Sequence, residues 1–530
     1  MKICLINSSY EGANSPFEAA SYDPLPDPSR YIPEGRHEFV SKFVTKANAK
    51  AEIDEICKEK YDLFFNYMWG LESDNVAGLD ATLYLESKGI PILGQPSSFL
   101  SKTKLHLAKA AKLSGLRMPQ NTPGKYPKIV KHATTCGSLG LDYDSVCHDE
   151  AAVKRRIAHL QQVDDTPLLV SDYITGAECS AMVIETGRDV VALTPLKYVF
   201  PPGTPPEQAF LTWHNKFEAC EDGTITYALV EGKEKASLQK AAVDAFKALK
   251  IKGGAWARVD MRLEDGTNDV YVLEVNSIPV VFYPRGNKLG DDLVVEETFP
   301  GAHLAFMDML LATKMMQLGL HKKQTKHLAS VYDKFAPSYD GVWRAAGLRK
   351  VQELMVRKFD FGGTVLDLAC GTGAVGRVLH EAGIEAEITG IEVSEGMLQS
   401  SPDIHQHYKQ PIIVGPMEEE IMTAGPHDHV VCFGALHFLQ PVMFNAVLAK
   451  MFMLARKSVS FDIDDVPPSY IDFLRDNHGQ LFINYNHVEE MEQFGVPKAW
   501  KLVHKSHEFL FTSPHAGHDI FGYALRFERL

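Results

Sequence analysis

The segment Trp256 to Pro279, WARVDMRLEDGTNDVYVLEVNSIP, constrains this chain more than any other. Two alternating runs flank a turn-rich stretch, Glu264 to Asp269, that contains Asp-Gly, and this predicts a β-hairpin. Alternation sets Val259, Met261 and Leu263 on one face of the first strand and Arg258, Asp260 and Arg262 on the other. In the second strand Tyr271, Leu273 and Val275 share a face, and Glu274 and Asn276 take the opposite one beside Val270 and Val272. Pairing Asp260 near Glu274 brings two carboxylates together, and like charges directly opposite destabilise a sheet. The arrangement therefore wants a cation. Two carboxylates and an amide offer oxygen donors, which suit Mg²⁺ holding phosphates better than zinc or copper. A solvated hairpin face is the plainer alternative on this stretch alone.

Upstream, the apolar strand KICLIN (Lys2 to Asn7) opens a β-α-β-α rhythm. A helix near Val40 to Lys60, the strand YDLFFNYM, a helix through Leu79 to Lys88 and a strand at Ile90 to Leu93 come next, which implies a small parallel sheet. Ser101 to Gly115 reads as a helix stopped by glycine. The run KIVKHATTCGSLGLDYDSV then carries Lys131 on a strand into a loop of small residues. A lysine beside such a loop can clamp phosphate with a point charge and backbone N–H groups. The loop lacks GxxxxGK[ST], so it is not a Walker P-loop, and an ordinary hairpin turn competes with the phosphate reading. Glu178 comes after a turn glycine and could accept from a ribose, a solvated surface glutamate being the commoner case for a lone glutamate. A Pro/Gly loop from Pro201 leads to Lys216, a lid-like composition.

Lys131, Glu178, Lys216, Arg258-x-Asp260 and Glu274-x-Asn276-x-x-Pro279 stand in an order that resembles the ATP-grasp superfamily, nearest the D-alanine–D-alanine ligase type of carboxylate–amine ligase. The similarity runs over about residues 1 to 320. It implies a pre-ATP-grasp α/β domain at 1–95 and an ATP-grasp domain, two α+β subdomains, at 96–320. It implies that Lys131 and Lys216 contact ATP phosphates, that Glu178 holds the ribose, and that Asp260, Glu274 and Asn276 bind Mg²⁺. Arg258 and Lys216 would act in catalysis, Arg258 on the acyl phosphate and tetrahedral intermediate. Two departures stand out. Ser171-Asp172 occupy the place of a usual glutamate, and Val280 comes after the motif proline where the D-alanine enzymes have glycine. D-Ala-D-Ala is therefore not the expected product. Glu11 and Glu18 are candidates to hold a substrate amino group.

Gly319 to Ala329 is polar, basic and without a strong apolar period, so a linker is expected at 321–330. Beyond it, TVLDLACGTGAVGRVLHEAG takes an apolar strand into Gly371, Gly373 and Gly376 at a helix start, a nucleoside-type loop. The next strand ends in Glu392, whose carboxylate can take two ribose hydroxyls. NAD and S-adenosylmethionine compete for such a site. Asp367 before the glycines, the segment VYDKFAPSYD, DHVVCFGALHFL and the terminal strands EFLFT and FGYALRFE together resemble class I S-adenosylmethionine-dependent methyltransferases. The resemblance implies a Rossmann-like domain at 331–530, closed by an antiparallel β-pair. Its implied cofactor contacts are Asp367, Gly371, Gly373 and Glu392, with His437 as a candidate base. His504, His507, His515 and His518 invite a metal reading, but no carboxylate or cysteine accompanies them in the sequence.

The expected fold is α/β throughout, ATP-grasp then Rossmann-like. The expected function is a bifunctional biosynthetic enzyme using ATP, Mg²⁺ and S-adenosylmethionine on small-molecule acid and amine substrates, in secondary metabolism. A C-terminal half that binds cofactor without turnover, or one that is a nicotinamide oxidoreductase, are the alternatives. The net charge of −14 argues against nucleic acid and membrane as partners. Eight scattered cysteines with no CxxC pair indicate a reducing, cytoplasmic setting. The oligomeric state stays open, a homodimer being one option.

Overall fold

The computed structural model describes residues 1–13, 25–70, 74–134, 137–218, 225–251, 253, 256–287, 290–346, 349–479, 481–513 and 517–530. The chain divides into two compact units. One comprises 1–185 and 190–296, the other 186–189 and 297–530. The division after 296 falls short of the expected boundary at 320. The helix Ala302–Leu318 is apolar nearly all round and buried, which suits a core helix, and it belongs to the second unit. Among the described residues no helix is long and apolar enough to cross a membrane.

Among the described residues the first unit contains three sheets. Four parallel strands lie in the order Glu38–Val44, Lys2–Ser8, Leu63–Asn66, Ile92–Gly94. The first of these corrects the expected helix at 40–60. EFVSKFV alternates as a strand, and the helix is confined to Ala49–Cys57. A three-stranded antiparallel sheet centres on Lys128–His132. The third sheet is antiparallel, in the order Thr226–Leu229, Leu196–Val199, Gly176–Glu185, Trp256–Glu264, Val270–Asn276, with Val190–Ala192 beside Gly176–Glu185.

The hairpin forms as expected, with one difference that matters. The register pairs Arg258 with Asn276, Val259 with Val275 and Asp260 with Glu274, then shifts so that Met261 faces Val272. The extra residue, Leu273, is a β-bulge. It moves Val270 and Val272 off the Glu274 face, where strict alternation would place them. Both pack into the core with Val259, Met261 and Leu263, under the helix Gly232–Ala248. The bulge lets one strand bury its valines and still present Glu274 and Asn276 on the other face.

The second unit holds a seven-stranded sheet. Numbered in chain order within the unit, its strands lie 3-2-1-4-5-7-6. The first five, Gly363–Leu368, Ala386–Glu392, Ile413–Val414, His427–Cys432 and Ala455–Asp465, are parallel. Asp519–Arg529 runs antiparallel between Ala455–Asp465 and Trp500–Thr512, the closing pair the sequence implied. The order reverses between Gly363–Leu368 and His427–Cys432, and a crevice opens at the carboxyl ends of strands at such a switch point. The expected linker at 321–330 is helical, part of Lys322–Ala346. Leu328, Tyr332, Phe335 and Tyr339 recur at helical spacing, a period that the polar first turns of the helix mask.

Candidate functional site

In the first unit the hairpin's outward face gathers the oxygen donors. Asn276 Nδ2 donates to Asp260 Oδ2 at 2.8 Å and reaches Glu274 Oε1 at 3.5 Å. Arg258 closes a bidentate pair on Asp260, Nε to Oδ1 at 2.8 Å and Nη2 to Oδ2 at 3.1 Å, and lies 3.9 Å from Asp291. Burial pushes the Asp291 carboxyl up to about 6, against the pull of Arg258. Asp291 Oδ2 accepts from Val280 N at 2.8 Å, while Asp292 accepts from Phe282 N and Tyr283 N. These bonds fix the segment after Pro279, where Phe282 is fully buried in a left-handed conformation, φ 71°.

Glu274 is also held by a residue the sequence reading did not single out. Lys104 Nζ stands 2.7 Å from Glu274 Oε2. Burial pushes the Glu274 carboxyl up, but Lys104, Lys131 and Lys216 outweigh it and hold it far below the usual carboxylate range. Lys104 opens the helix Lys104–Ser114, just after Thr103. A cation in a first turn opposes the helix dipole, and that unfavourable placement was the available signal. Lys131 lies on Lys128–His132; burial pushes its amine down and Glu274 opposes that. Lys216 sits on the single turn His214–Glu218, close enough to Glu178 and Glu274 to lower both carboxyls.

Glu178 Oε2 accepts from Leu211 N at 3.2 Å and lies 4.0 Å from Arg262. Burial raises its carboxyl, with Arg262 and Lys216 opposing. Asp172, where the family's usual glutamate is replaced, is committed to a buried pair with Lys128 at 2.6 Å. The small-residue loop has Gly137, Ser138 and Gly140 at positive φ, and Ser138 Oγ donates to Leu211 O. Thr135 and Cys136 of that loop, and Glu18, lie outside the described residues. The structure thus brings Lys131, Glu178, Lys216, Arg258, Asp260, Glu274 and Asn276 into one electrostatic cluster. Two carboxylates offer the hard oxygen donors Mg²⁺ takes, and Asn276 adds a third once its amide turns Oδ1 in place of Nδ2 toward them, so the donor set fits that ion.

In the second unit a cleft opens at the switch point. Gly371 and Glu392 line it. Both Glu392 oxygens accept backbone bonds, from Gly371 N at 2.8 Å and Ser394 N at 2.9 Å, while burial raises the carboxyl. A carboxylate so oriented can still receive hydroxyls on its outer lone pairs, which fits a nucleoside. The long helix Lys322–Ala346 is tied down beside it. Ser394 Oγ donates to Asp333 at 2.6 Å, and Thr372 Oγ1 donates to Asp340 at 2.7 Å.

Three other expected residues are placed differently. Asp367 is buried and not among the lining residues; it accepts the Tyr408 hydroxyl at 2.6 Å, and Tyr408 in turn accepts from Gly376 N. Burial pushes the Asp367 carboxyl up to about 7. Gly373, φ 81°, sits against Ile404, where a Cβ would stand 2.7 Å from Ile404 Cγ1. His437 does not line the cleft: its Nδ1 stands 3.2 Å from Asp464 Oδ2. Burial pushes this imidazole down, but Asp464 and Asp462 outweigh it and raise it above the usual histidine range. The histidines near the C terminus do not converge. His504 meets Lys358, His507 pairs with Asp465, and His518 packs on Tyr470, while His515 lies outside the described residues. Among the described residues no group of three or more His, Cys, Asp or Glu is arranged for a metal.

Residues 89–282 match the family model described as D-ala D-ala ligase C-terminus, and residues 365–458 match a methyltransferase domain model. The D-alanine–D-alanine ligase of Polaromonas naphthalenivorans is 29% identical over 153 residues, 29% of this chain and 43% of that protein. That of Polaromonas sp. strain JS666 is 26% identical over 253 residues, 44% of this chain and 70% of that protein. The chain thus spans less than half the length of the first of these curated relatives. Among solved structures, the D-Ala:D-Ser ligase VanG of Enterococcus faecalis is similar at 17% identity and TM-score 0.40, covering 59% of this chain and 99% of that one.

Proposed function

We propose that this chain, which carries a D-alanine–D-alanine-ligase-type ATP-grasp region followed by a methyltransferase domain, joins a carboxylic acid to an amine at the expense of ATP and transfers a methyl group to the substrate or product. The observation that carries the ligase half is the hairpin face, where Asp260, Glu274 and Asn276 are ringed by Arg258, Lys104, Lys131 and Lys216. Three lysines and an arginine converge here on Asp260 and Glu274, with Glu178 and Asp291 beside them. They suit a triphosphate with a divalent ion, which supplies charge neutralisation when bound.

A carboxylate is a poor electrophile, and phosphorylation gives it a leaving group. The chain's own part is to hold the phosphates with Lys131 and Lys216, orient the ribose with Glu178, and place the Arg258 guanidinium beside developing negative charge. The segment Val280 to Tyr283, held by Asp291 and Asp292, follows directly on the metal-binding face and is the place where substrate choice would be set. With valine in place of glycine after Pro279, the expected product is not D-Ala-D-Ala, and the acid is another amino acid or a different acid. In the second unit Gly371 and Glu392 hold the nucleoside of S-adenosylmethionine, and methyl transfer then needs mainly proximity. Pairing the two activities suits the tailoring of a small amino-acid-derived metabolite, in a reaction that requires neither nucleic acid nor membrane.

The test is mass spectrometry of the intact chain incubated with ATP, Mg²⁺, methyl-labelled S-adenosylmethionine and an amino-acid pool. An amide product with phosphate release, carrying the label, is expected. ATP turnover without any amide would sink the ligase reading.

A further inference from the structure

The cleft of the second unit has two unlike ends. Gly371 and Glu392 form the cofactor end. Tyr332, Tyr339 and Phe438 also line it. The Tyr332 ring lies 6.1 Å from Tyr339 and 5.9 Å from Phe438, inclined at 61° and 81°. Three rings meeting at such angles make a corner rather than a stack, as in the aromatic boxes that receive ammonium groups. Glu392 and Glu418 share this cleft. Burial, then Tyr339, Glu392 and Asp464, push the Tyr332 hydroxyl well up, which places that neutral hydroxyl electrostatically close to Glu392 and Asp464. His321, which also lines the cleft, is joined to Glu419 at 2.5 Å.

We propose that the methyl acceptor in this cleft is an amine nitrogen, received in the corner formed by Tyr332, Tyr339 and Phe438. The proposal rests on the methyltransferase function proposed for this unit. A carboxylate acceptor would bring a further negative charge beside Glu392 and Glu418, which is repulsive at low dielectric. A hydroxyl acceptor must lose its proton to a base as it attacks; the His437 imidazole is directed at Asp464, and His321, the imidazole that lines the cleft, is engaged by Glu419. An unprotonated amine needs neither help. Its lone pair forms the N–C bond to the sulfonium methyl, the C–S bond breaks, and its electron pair stays on sulfur. The nitrogen becomes an ammonium that keeps the protons it brought and later releases one to solvent. Positive charge passes from sulfur to nitrogen, and ring faces and nearby carboxylates stabilise it on either atom. Two of the three rings come from the helix Lys322–Ala346, outside the stretch 365–458 that matches the methyltransferase model.

The test uses the intact chain, methyl-labelled S-adenosylmethionine, and separate sets of simple amines, carboxylic acids and alcohols, with NMR of the products to locate the methyl group. N-methylated product is expected. Phe438→Leu, which keeps apolar volume and removes a ring, is expected to cut kcat/KM for the amine about ten-fold, while calorimetry still detects cofactor binding. Choline is expected to inhibit competitively against the amine and its uncharged carbon isostere to inhibit at least about five-fold more weakly. Methyl esters or ethers as the products, or equal inhibition by the two probes, overturn the amine assignment and leave the methyltransferase function standing. Inhibition by choline against the cofactor alone assigns the rings to the sulfonium and overturns it likewise. Cofactor binding without methylation in any set overturns both.

Discussion

The two candidate sites handle carboxylates in opposite ways. On the hairpin, Glu274 and Asp260 each meet a full cation, Lys104 at 2.7 Å and Arg258 at 2.8 Å, and Glu274 is held far below the ordinary range. In the second unit, Glu392 at the cleft and Asp367 buried away from it meet N–H and O–H donors, and burial raises both carboxyls. The first arrangement is charged and exchangeable: cations that pair with carboxylates in the absence of ligand can pair with phosphates once a divalent ion takes the carboxylates. The second is dipolar and fixed, suited to a ligand that brings hydroxyls and a single positive charge. Long-range charge therefore governs one site, and local hydrogen-bond geometry the other.

The sharpest way to break this comparison is to remove the oxygen donors. Asp260→Ala with Glu274→Ala is expected to lower ATP-dependent phosphate release at least about a thousand-fold, since the loss of one electrostatic group commonly costs a hundred- to a thousand-fold. S-adenosylmethionine binding, measured by calorimetry on the same protein, should not change. Persistent phosphate release would mean that the hairpin is only a solvated sheet face.

Lys104 sharpens it next. If this lysine moves from Glu274 to a phosphate, Lys104→Gln loses a charge-assisted bond of about 1.5–3 kcal/mol. The KM for ATP should then rise roughly ten- to a hundred-fold, with little change in thermal stability. A variant that instead melts early with an unchanged KM would make Lys104 a structural partner of Glu274 alone.

Legibility in the sequence divides along the same line. The hairpin could be read because alternation, a turn and charge spacing are local, and the order of strand, glycine loop and helix at Gly371 is local too. The bulge at Leu273 could not be read, because it depends on which valines the helix Gly232–Ala248 buries. Lys104 escaped because its partner lies 170 residues away in the sequence (274 − 104). Asp367 and His437 stand at the expected positions in their motifs, yet Tyr408 and Asp464, from other elements, decide where they point. Motif position located these side chains, and tertiary partners set their direction.

That distinction predicts unequal effects within the cleft. Glu392→Gln keeps the shape but can no longer accept on both oxygens, so calorimetry should show S-adenosylmethionine binding weakened about ten-fold. His437→Gln should change methyl transfer only a few-fold, because the imidazole is not directed into the cleft. A hundred-fold loss with His437→Gln would restore it as the base.

The remaining expected effect concerns Asp367, and it is one of pH. Its carboxyl is raised from an ordinary 3.8 to about 7 by burial, against the Tyr408 hydrogen bond. Between those values the folded chain binds a proton that the unfolded chain has lost, so folding stability falls as pH rises. The contribution is fully present below about pH 4 and gone above about pH 7. Asp367→Asn removes the titration while keeping an oxygen to accept from Tyr408. Amide exchange in the strand Gly363–Leu368 should therefore depend less on pH from 4 to 7 in the variant, after correction for the intrinsic exchange rate. Its protection at pH 8 should equal or exceed that of the parent. Parallel profiles for the two proteins would mean that Asp367 stays ionised, hydrogen-bonded more strongly than the single Tyr408 contact accounts for.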